Sequence, residues 1–241
     1  MVDRAPLVLL PGLLCDMQLW VHQVSALADI AEPQVADLTL DETVADMARR
    51  VLAGAPDRFA LGALSMGGYV AFEILRQQPE RVTRLALLDT SASPDTPARA
   101  AERRGAIASL ALGRFVGVTR RMLPTLIHPD HVAGPVGEAV RVMAERVGGE
   151  AFLRQQRAIL SRPDSRPLLA SIRVPTLVAV GAQDMLTPPD EARLIHEGIV
   201  GSKLEIIEQC GHLPPLEHPS QTSALLRAWL GDKDYQDLQE Q

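Results

Sequence analysis

The sequence predicts an α/β fold built on a parallel sheet. Three observations predict it. Short apolar runs recur along the chain, longer amphipathic stretches separate them, and Gly or Pro punctuates the joins. A short apolar run that ends in turn residues reads as a buried strand, and the long connections between such runs read as crossover helices.

Leu7 to Leu10 is the first such strand, closed by Pro11-Gly12. A helix is expected between Met17 and Ala28, then a weaker strand near Gln34 to Leu38. Asp41 or Thr43 is the candidate cap of the next helix, which carries Val44, Met47, Ala48, Val51 and Leu52 at helical spacing. Phe59 to Leu64 reads as a strand that turns abruptly through Ser65-Met66-Gly67-Gly68 into a helix from about Tyr69 to Gln78. Leu85 to Leu88 is a further strand. From Ser93 to about Arg173 the alternation fails, and an Ala- and Arg-rich stretch interrupted by Pro97, Pro124, Pro129, Pro135, Pro163 and Pro167 reads as several short helices. The rhythm returns with a strand at Thr176 to Val180, a helix around Glu191 to Glu197, a strand at Leu204 to Ile207 and a helix from Ser220 to Leu230. The polar tail from Gly231 is expected to fray.

The charge pattern separates the same middle segment from its flanks. Residues 95–170 hold twelve Arg against seven Asp or Glu, whereas the whole chain carries a formal charge of −6. That overall sign gives no broad attraction to nucleic acid phosphates. Aromatics are 3% of the residues, so aliphatic side chains must build the core. No apolar stretch approaches 18 residues, so no membrane span is expected. The N-terminal run is soon broken by Pro11-Gly12, so no signal peptide is expected either, and a soluble cytoplasmic protein is the default. Two cysteines, Cys15 and Cys210, make no disulfide framework in 241 residues.

The chemistry starts at Ala63-Leu64-Ser65-Met66-Gly67-Gly68. A serine hydroxyl is a weak nucleophile at neutral pH and needs both a base and an exposed position. A strand bending sharply into a helix gives the exposure and aims the positive helix end at the reaction. Side chains beside such a turn must be small, as Ala63 and Gly67 are, although the G-x-S-x-G pattern has Gly at the first of these sites. The same pattern demands an acid and then a histidine downstream, each after a later strand. Gly181-Ala182-Gln183-Asp184 follows one strand, and Glu208-Gln209-Cys210-Gly211-His212 follows the next. Ser65, Asp184 and His212 are therefore the candidate nucleophile, acid and base. Asp89, at the end of the strand Leu85 to Leu88, is the alternative acid. His22, His128, His131, His196 and His218 lie in predicted helices, turns or the middle segment and read as surface or capping residues.

With Leu-Pro-Gly-Leu-Leu at 10–14, Leu-Ser-Met-Gly-Gly at 64–68, Val-Gly-Ala-Gln-Asp at 180–184 and Cys-Gly-His at 210–212, the chain resembles the α/β-hydrolase fold family over nearly its whole length. Among subgroups it is similar to small bacterial carboxylesterases of the pimeloyl-carrier-protein methyl ester esterase type. The resemblance implies a mostly parallel sheet of eight strands or slightly fewer, flanked by helices, with the first hairpin of larger members missing. It implies a core of residues 1–93 and 171–241, and a helical lid at 94–170 inserted after the sixth family strand. It further implies an oxyanion hole from the backbone N–H groups of Met66 and of Leu13 or Leu14, and hydrolysis of a small-molecule ester through an acyl-enzyme, without metal or organic cofactor. Thioesterase, amidase and C–C hydrolase chemistry use the same machinery, and a ligand-binding protein that has lost turnover is the reading from another class. Leu14, Trp20, Met122 and Leu126 are candidate pocket residues. Arg103, Arg104, Arg120, Arg121, Arg154 and Arg157 are candidates to meet an anionic substrate tail or an acyl-carrier protein, or are a solvated surface. Cys15 and Cys210 flank the expected site and read as small buried thiols rather than a redox pair.

Overall fold

The computed structural model describes residues 4–113, 115 and 117–231. Six strands form one sheet: β1 (Ala5–Leu10), β2 (Ala31–Val35), β3 (Phe59–Leu64), β4 (Val82–Leu88), β5 (Thr176–Gly181) and β6 (Lys203–Ile207). Their order is β2-β1-β3-β4-β5-β6 and every pairing is parallel. The chain winds outward from β1 in one direction and then, from β3, in the other. The loops after β1 and β3 therefore diverge at one point on the carboxyl edge, the switch point where sheets of this kind bind ligands. Register brings the two loops together, because Leu10 pairs with Ala63.

Side-chain alternation builds two cores from one sheet. Val8, Leu10, Leu61, Ala63, Leu85 and Leu87 face α2 (Val44–Gly54), α3 (Met66–Gln77) and α8 (Pro189–Gly198). Leu7, Leu9, Ala60, Ala86 and Leu88 face α1 (Val21–Leu27) and α10 (Pro219–Gly231) on the other side. Of the two candidate caps of α2 it is Thr43 that serves, its Oγ1 accepting from Asp46 N–H at 3.0 Å.

Several boundaries differ from expectation for physical reasons. The second strand is Ala31–Val35, not 34–38. It contains Pro33, which fits because β2 is an edge strand and the missing N–H loses no ladder bond. The helix expected at 17–28 divides into a 3₁₀ turn (Met17–Trp20), capped by Asp16, and α1. Helix α3 begins at Met66, directly after the serine. The frayed-tail expectation for residues 232–241 lies outside the described residues.

Between β4 and β5 the chain is helical: α4 (Pro97–Leu112), a 3₁₀ turn (Leu123–Thr125), α5 (Pro129–Val132), α6 (Pro135–Ser161) and α7 (Arg166–Leu169). Helix α6 breaks at Gly148, whose φ of 78° lies in the left-handed region that favours glycine. The two ends of this insertion are stapled together. Asp95 accepts from Arg103 Nε at 2.7 Å and from Arg162 at 2.8 Å, and Arg162 also lies over the Tyr69 ring at 4.2 Å. Burial alone would raise the Asp95 carboxyl, but the two guanidinium groups hold it below the usual carboxylate range. The side chains of Asp95 and Arg162 are largely covered, so cutting the pair leaves a guanidinium in the fold without its counter-charge. Asp95→Ala is expected to cost about 3–5 kcal/mol in urea unfolding, and a loss below about 1 kcal/mol would show that the staple is dispensable. Among the described residues no helix is long and apolar enough to cross a membrane.

Candidate active site

Ser65 sits where β3 becomes α3, with φ 53° and ψ −116°. This is a costly backbone for a residue with a Cβ, and it persists because the surroundings determine it. Ser65 N–H continues the ladder to Leu88 O at 3.0 Å, and its carbonyl accepts from Thr90 Oγ1 at 2.7 Å. Crowding explains the small residues. A Cβ on Gly67 would lie 2.6 Å from Leu10 O, and one on Gly68 would lie 2.2 Å from Thr90 Oγ1. Ala63, by contrast, points its methyl into the core on the α3 side, so Ala fits where the sequence pattern has Gly.

The same strained backbone recurs around the sheet edge. Leu14, Ser65, Asp89 and Gln209 are the non-glycine residues with positive φ among those described, and each follows a strand of the carboxyl edge. Leu14 N–H is engaged within the fold. It donates to Gln155 Oε1 at 3.1 Å, and the buried Gln155 side chain in turn donates to Leu38 O at 3.2 Å. With that donor spent, Leu13, which lines the same cavity as Ser65, and Met66, the first residue of α3, are the remaining candidate donors. The loop passes close to Ser65, since a Cβ on Gly12 would stand 3.4 Å from Ser65 Cβ.

His212 Nδ1 lies 2.8 Å from Asp184 Oδ2, and both residues are buried. Asp184 is held by four groups: His212, Thr187 Oγ1 at 2.7 Å, and the N–H groups of Leu186 and Thr187 at 2.8 and 3.2 Å. Burial pushes its carboxyl up. The His212 charge and these hydrogen bonds more than offset that, and hold it below the usual carboxylate range. With Nδ1 engaged, the imidazole has Nε2 left for the cavity, which His212 and Ser65 line together. Among the described residues the Ser65 hydroxyl makes no hydrogen bond, to His212 or to any other group. In resting enzymes such contacts are often long and tighten when substrate binds.

Asp89 is fully buried behind this pair. Its Oδ1 accepts from Gly181 N–H at 2.9 Å, and its Oδ2 has no partner. Burial first, and the neighbouring Asp184 charge second, push its carboxyl well above the usual range. Asp89, Asp184 and His212 each bring a possible metal-ligating atom within 4.8 Å of the others, but Asp184 and His212 spend theirs on each other.

A cavity of about 320 Å³ opens between the sheet edge and the insertion, a size suited to a small molecule. Leu13, Leu14, Met122 and Leu126 lie on its wall, and Arg99 and Arg103 are the basic residues there. Trp20 is not on that wall. It is fully buried in the second core among Leu19, Leu27 and Leu226, because the 3₁₀ turn points it under the sheet rather than toward the edge. Cys15 and Cys210 are both buried, and desolvation pushes the Cys15 thiol up to about 12 and raises that of Cys210 further from the reactive range. The other histidines keep to local roles: His128 caps α5, His196 meets Ser202 Oγ at 2.8 Å, and His131 packs edge-on to His218. Of the candidate arginines, Arg103, Arg154 and Arg157 are tied to Asp95, Thr39 O and Glu42, whereas Arg104, Arg120 and Arg121 are exposed. Gln155, Thr187 and Thr90 support the site without any signal in the sequence, since a lone Gln or Thr in a helix or loop announces nothing.

The family described as alpha/beta hydrolase fold matches residues 5–219. The chain belongs to it. Within that family, it is 31% identical over 172 residues to the pimeloyl-[acyl-carrier protein] methyl ester esterase of Neisseria meningitidis serogroup C, covering 68% of this chain and 66% of that protein. The match thus spans just under two thirds of that relative's length. The esterase of the same name from Aeromonas hydrophila is 25% identical and aligns over 93% of this chain and 95% of its own. Among solved structures, a thermophilic esterase from Thermogutta terrifontis superposes with a TM-score of 0.85 at 31% identity, covering 94% of this chain and 89% of that one. Among the described residues this α/β-hydrolase has six strands, all parallel, where the resemblance implied eight or slightly fewer.

Proposed function

We propose that this α/β-hydrolase is a serine esterase that cleaves a small carboxylic ester through an acyl-enzyme. The observation that carries the reading is the buried 2.8 Å contact of His212 Nδ1 with Asp184, which leaves Nε2 to a cavity shared with Ser65. In this mechanism Ser65 Oγ attacks the ester carbonyl while His212 Nε2 takes its proton. The oxyanion is met by the N–H groups of Leu13 and Met66, and His212 then protonates the departing alcohol. Water, activated by the same nitrogen, releases the acid. Asp184 holds the imidazole in the right tautomer and stabilises its cation. The helical insertion 94–170 acts as a lid whose inner face, including Met122 and Leu126, holds the acyl group apart from water. The esterase names of the relatives support an ester over an amide or thioester. An acyl group delivered on a carrier protein would meet the exposed Arg104, Arg120 and Arg121.

The test is a fluorophosphonate probe followed by peptide mass spectrometry, beside short-chain p-nitrophenyl esters, thioesters and amides. The expected result is an adduct on Ser65 and fastest turnover of esters. An adduct elsewhere, or an inert protein across the whole panel, overturns the reading in favour of a ligand-binding protein.

A further inference from the structure

Glu217 closes the four-residue helix α9 (Pro214–Glu217), is 5% exposed, and takes no part in the mechanism above. Its carboxyl group accepts three backbone N–H bonds: from Leu213 at 2.9 Å on Oε1, and from Gly211 at 2.9 Å and His128 at 2.6 Å on Oε2. Two of these donors flank His212 in sequence. The third lies in the insertion, 89 residues away. A helix cap alone would need only Leu213, the residue at the head of α9. The other oxygen instead reaches out of the helix and joins two segments that the chain does not.

Further contacts tie the same three segments. His212 N–H donates to Leu126 O at 2.9 Å, so the catalytic residue's own backbone hangs on the insertion. The approach is close enough that a Cβ on Gly211 would stand 2.7 Å from Ile127 Cα and 2.8 Å from His128 N. Beneath it, a Cβ on Gly181 would overlap Gly211 O at 1.9 Å. The loop carrying His212 is therefore pressed between the end of β5 and the turn 126–128, with the Glu217 carboxyl as the pin through all of them.

We infer that Glu217 is the positioning residue for His212, and that it fixes the turn 126–128 of the insertion to the catalytic loop as one rigid unit. This inference rests on the esterase reading for its effect on turnover, while the pin itself is independent of it. Removing the pin frees three buried N–H groups beside the imidazole. Catalysis then suffers through misplacement of His212, without loss of substrate contacts.

The experiment compares wild type with Glu217→Gln, which keeps shape and one acceptor oxygen, and Glu217→Ala. Amide exchange is read by NMR at His128, Gly211 and Leu213, and ester kinetics and melting are read in parallel. Exchange at those three amides is expected to quicken about tenfold or more in Glu217→Gln. Turnover kcat is expected to fall about tenfold in Glu217→Gln and about a hundredfold in Glu217→Ala, with KM within about threefold, as for a small displacement of a reacting group. A folded Glu217→Gln with unchanged exchange at these amides, or with unchanged kcat, overturns the inference. A wild type inert toward all esters would refute the esterase reading instead, and the exchange measurement would still decide the pin. Glu217→Gln is nearly isosteric, so the test survives if Glu217→Ala fails to fold.

Discussion

Ser65→Ala and His212→Ala are each expected to lower kcat for a hydrolysed ester by roughly 10⁴-fold or more, by the behaviour of other triads. At about 1.4 kcal/mol per factor of ten, that is roughly 5–6 kcal/mol of barrier. No surface interaction supplies so much, so the size of the loss itself identifies the residues. The double variant is expected to be little worse than either single one, because nucleophile and base act as a unit and removing one idles the other. The activity that remains would come from the oxyanion donors at Leu13 and Met66 and from binding in the cavity. Ser65→Ala should melt close to wild type, since the Ser65 hydroxyl is unbonded and an Ala methyl fits the same space, whereas His212→Ala takes a buried partner from Asp184 and should melt lower while still folding. Near-full turnover in either variant refutes the assignment, and melting curves separate a true loss of turnover from simple unfolding.

These residues could be found in the sequence because each lies at a fixed offset from a feature that local chemistry dictates. Ser65 ends a fully buried strand and precedes two glycines, and the glycines follow from crowding against Leu10 and Thr90. Asp184 and His212 follow strands recognisable as apolar runs, and parallel pairing then carries all three to one edge. The strand at Ala31–Val35 is hard to read from the sequence because Pro33 and two polar neighbours break the apolar pattern, and only its place at the sheet edge makes that tolerable. The sequence does not place Trp20, because a 3₁₀ turn stands in front of α1 where the spacing reads as one continuous helix. Gln155 and Glu217 were invisible for another reason. Each acts through backbone groups 141 and 89 residues away, and no local periodicity encodes such a distance.

The two buried carboxyls at the sheet edge call for opposite outcomes. Asp184→Asn is expected to cut kcat by about 10³–10⁴-fold, because an amide in place of Oδ2 favours the wrong imidazole tautomer and leaves the developing cation without its counter-charge. Asp89→Asn is expected to keep most activity, because burial and the neighbouring Asp184 charge push its carboxyl well above the usual range, toward the neutral form that an amide imitates, and Asn also tolerates the φ of 45° at that position. Stability gives a second, independent reading with a defined sign. The Asp89 pKa is raised in the folded state, so its contribution is complete below the unfolded value of 3.8 and is lost as pH rises toward the folded value. In that window the folded chain holds a proton that the unfolded chain has released, and stability falls by up to about 1.4 kcal/mol per pH unit. Asp184 runs the other way: its lowered pKa makes its contribution full above 3.8 and lost below. Melting temperature followed from pH 4 upward should therefore decline less steeply in Asp89→Asn than in wild type, with the variant more stable near neutrality. If Asp89→Asn instead abolishes turnover while Asp184→Asn spares it, the imidazole takes its partner from β4 and the two acids exchange roles. If the two melting profiles run parallel, Asp89 is ionised in the fold, and its unpaired Oδ2 must be stabilised by something other than a proton.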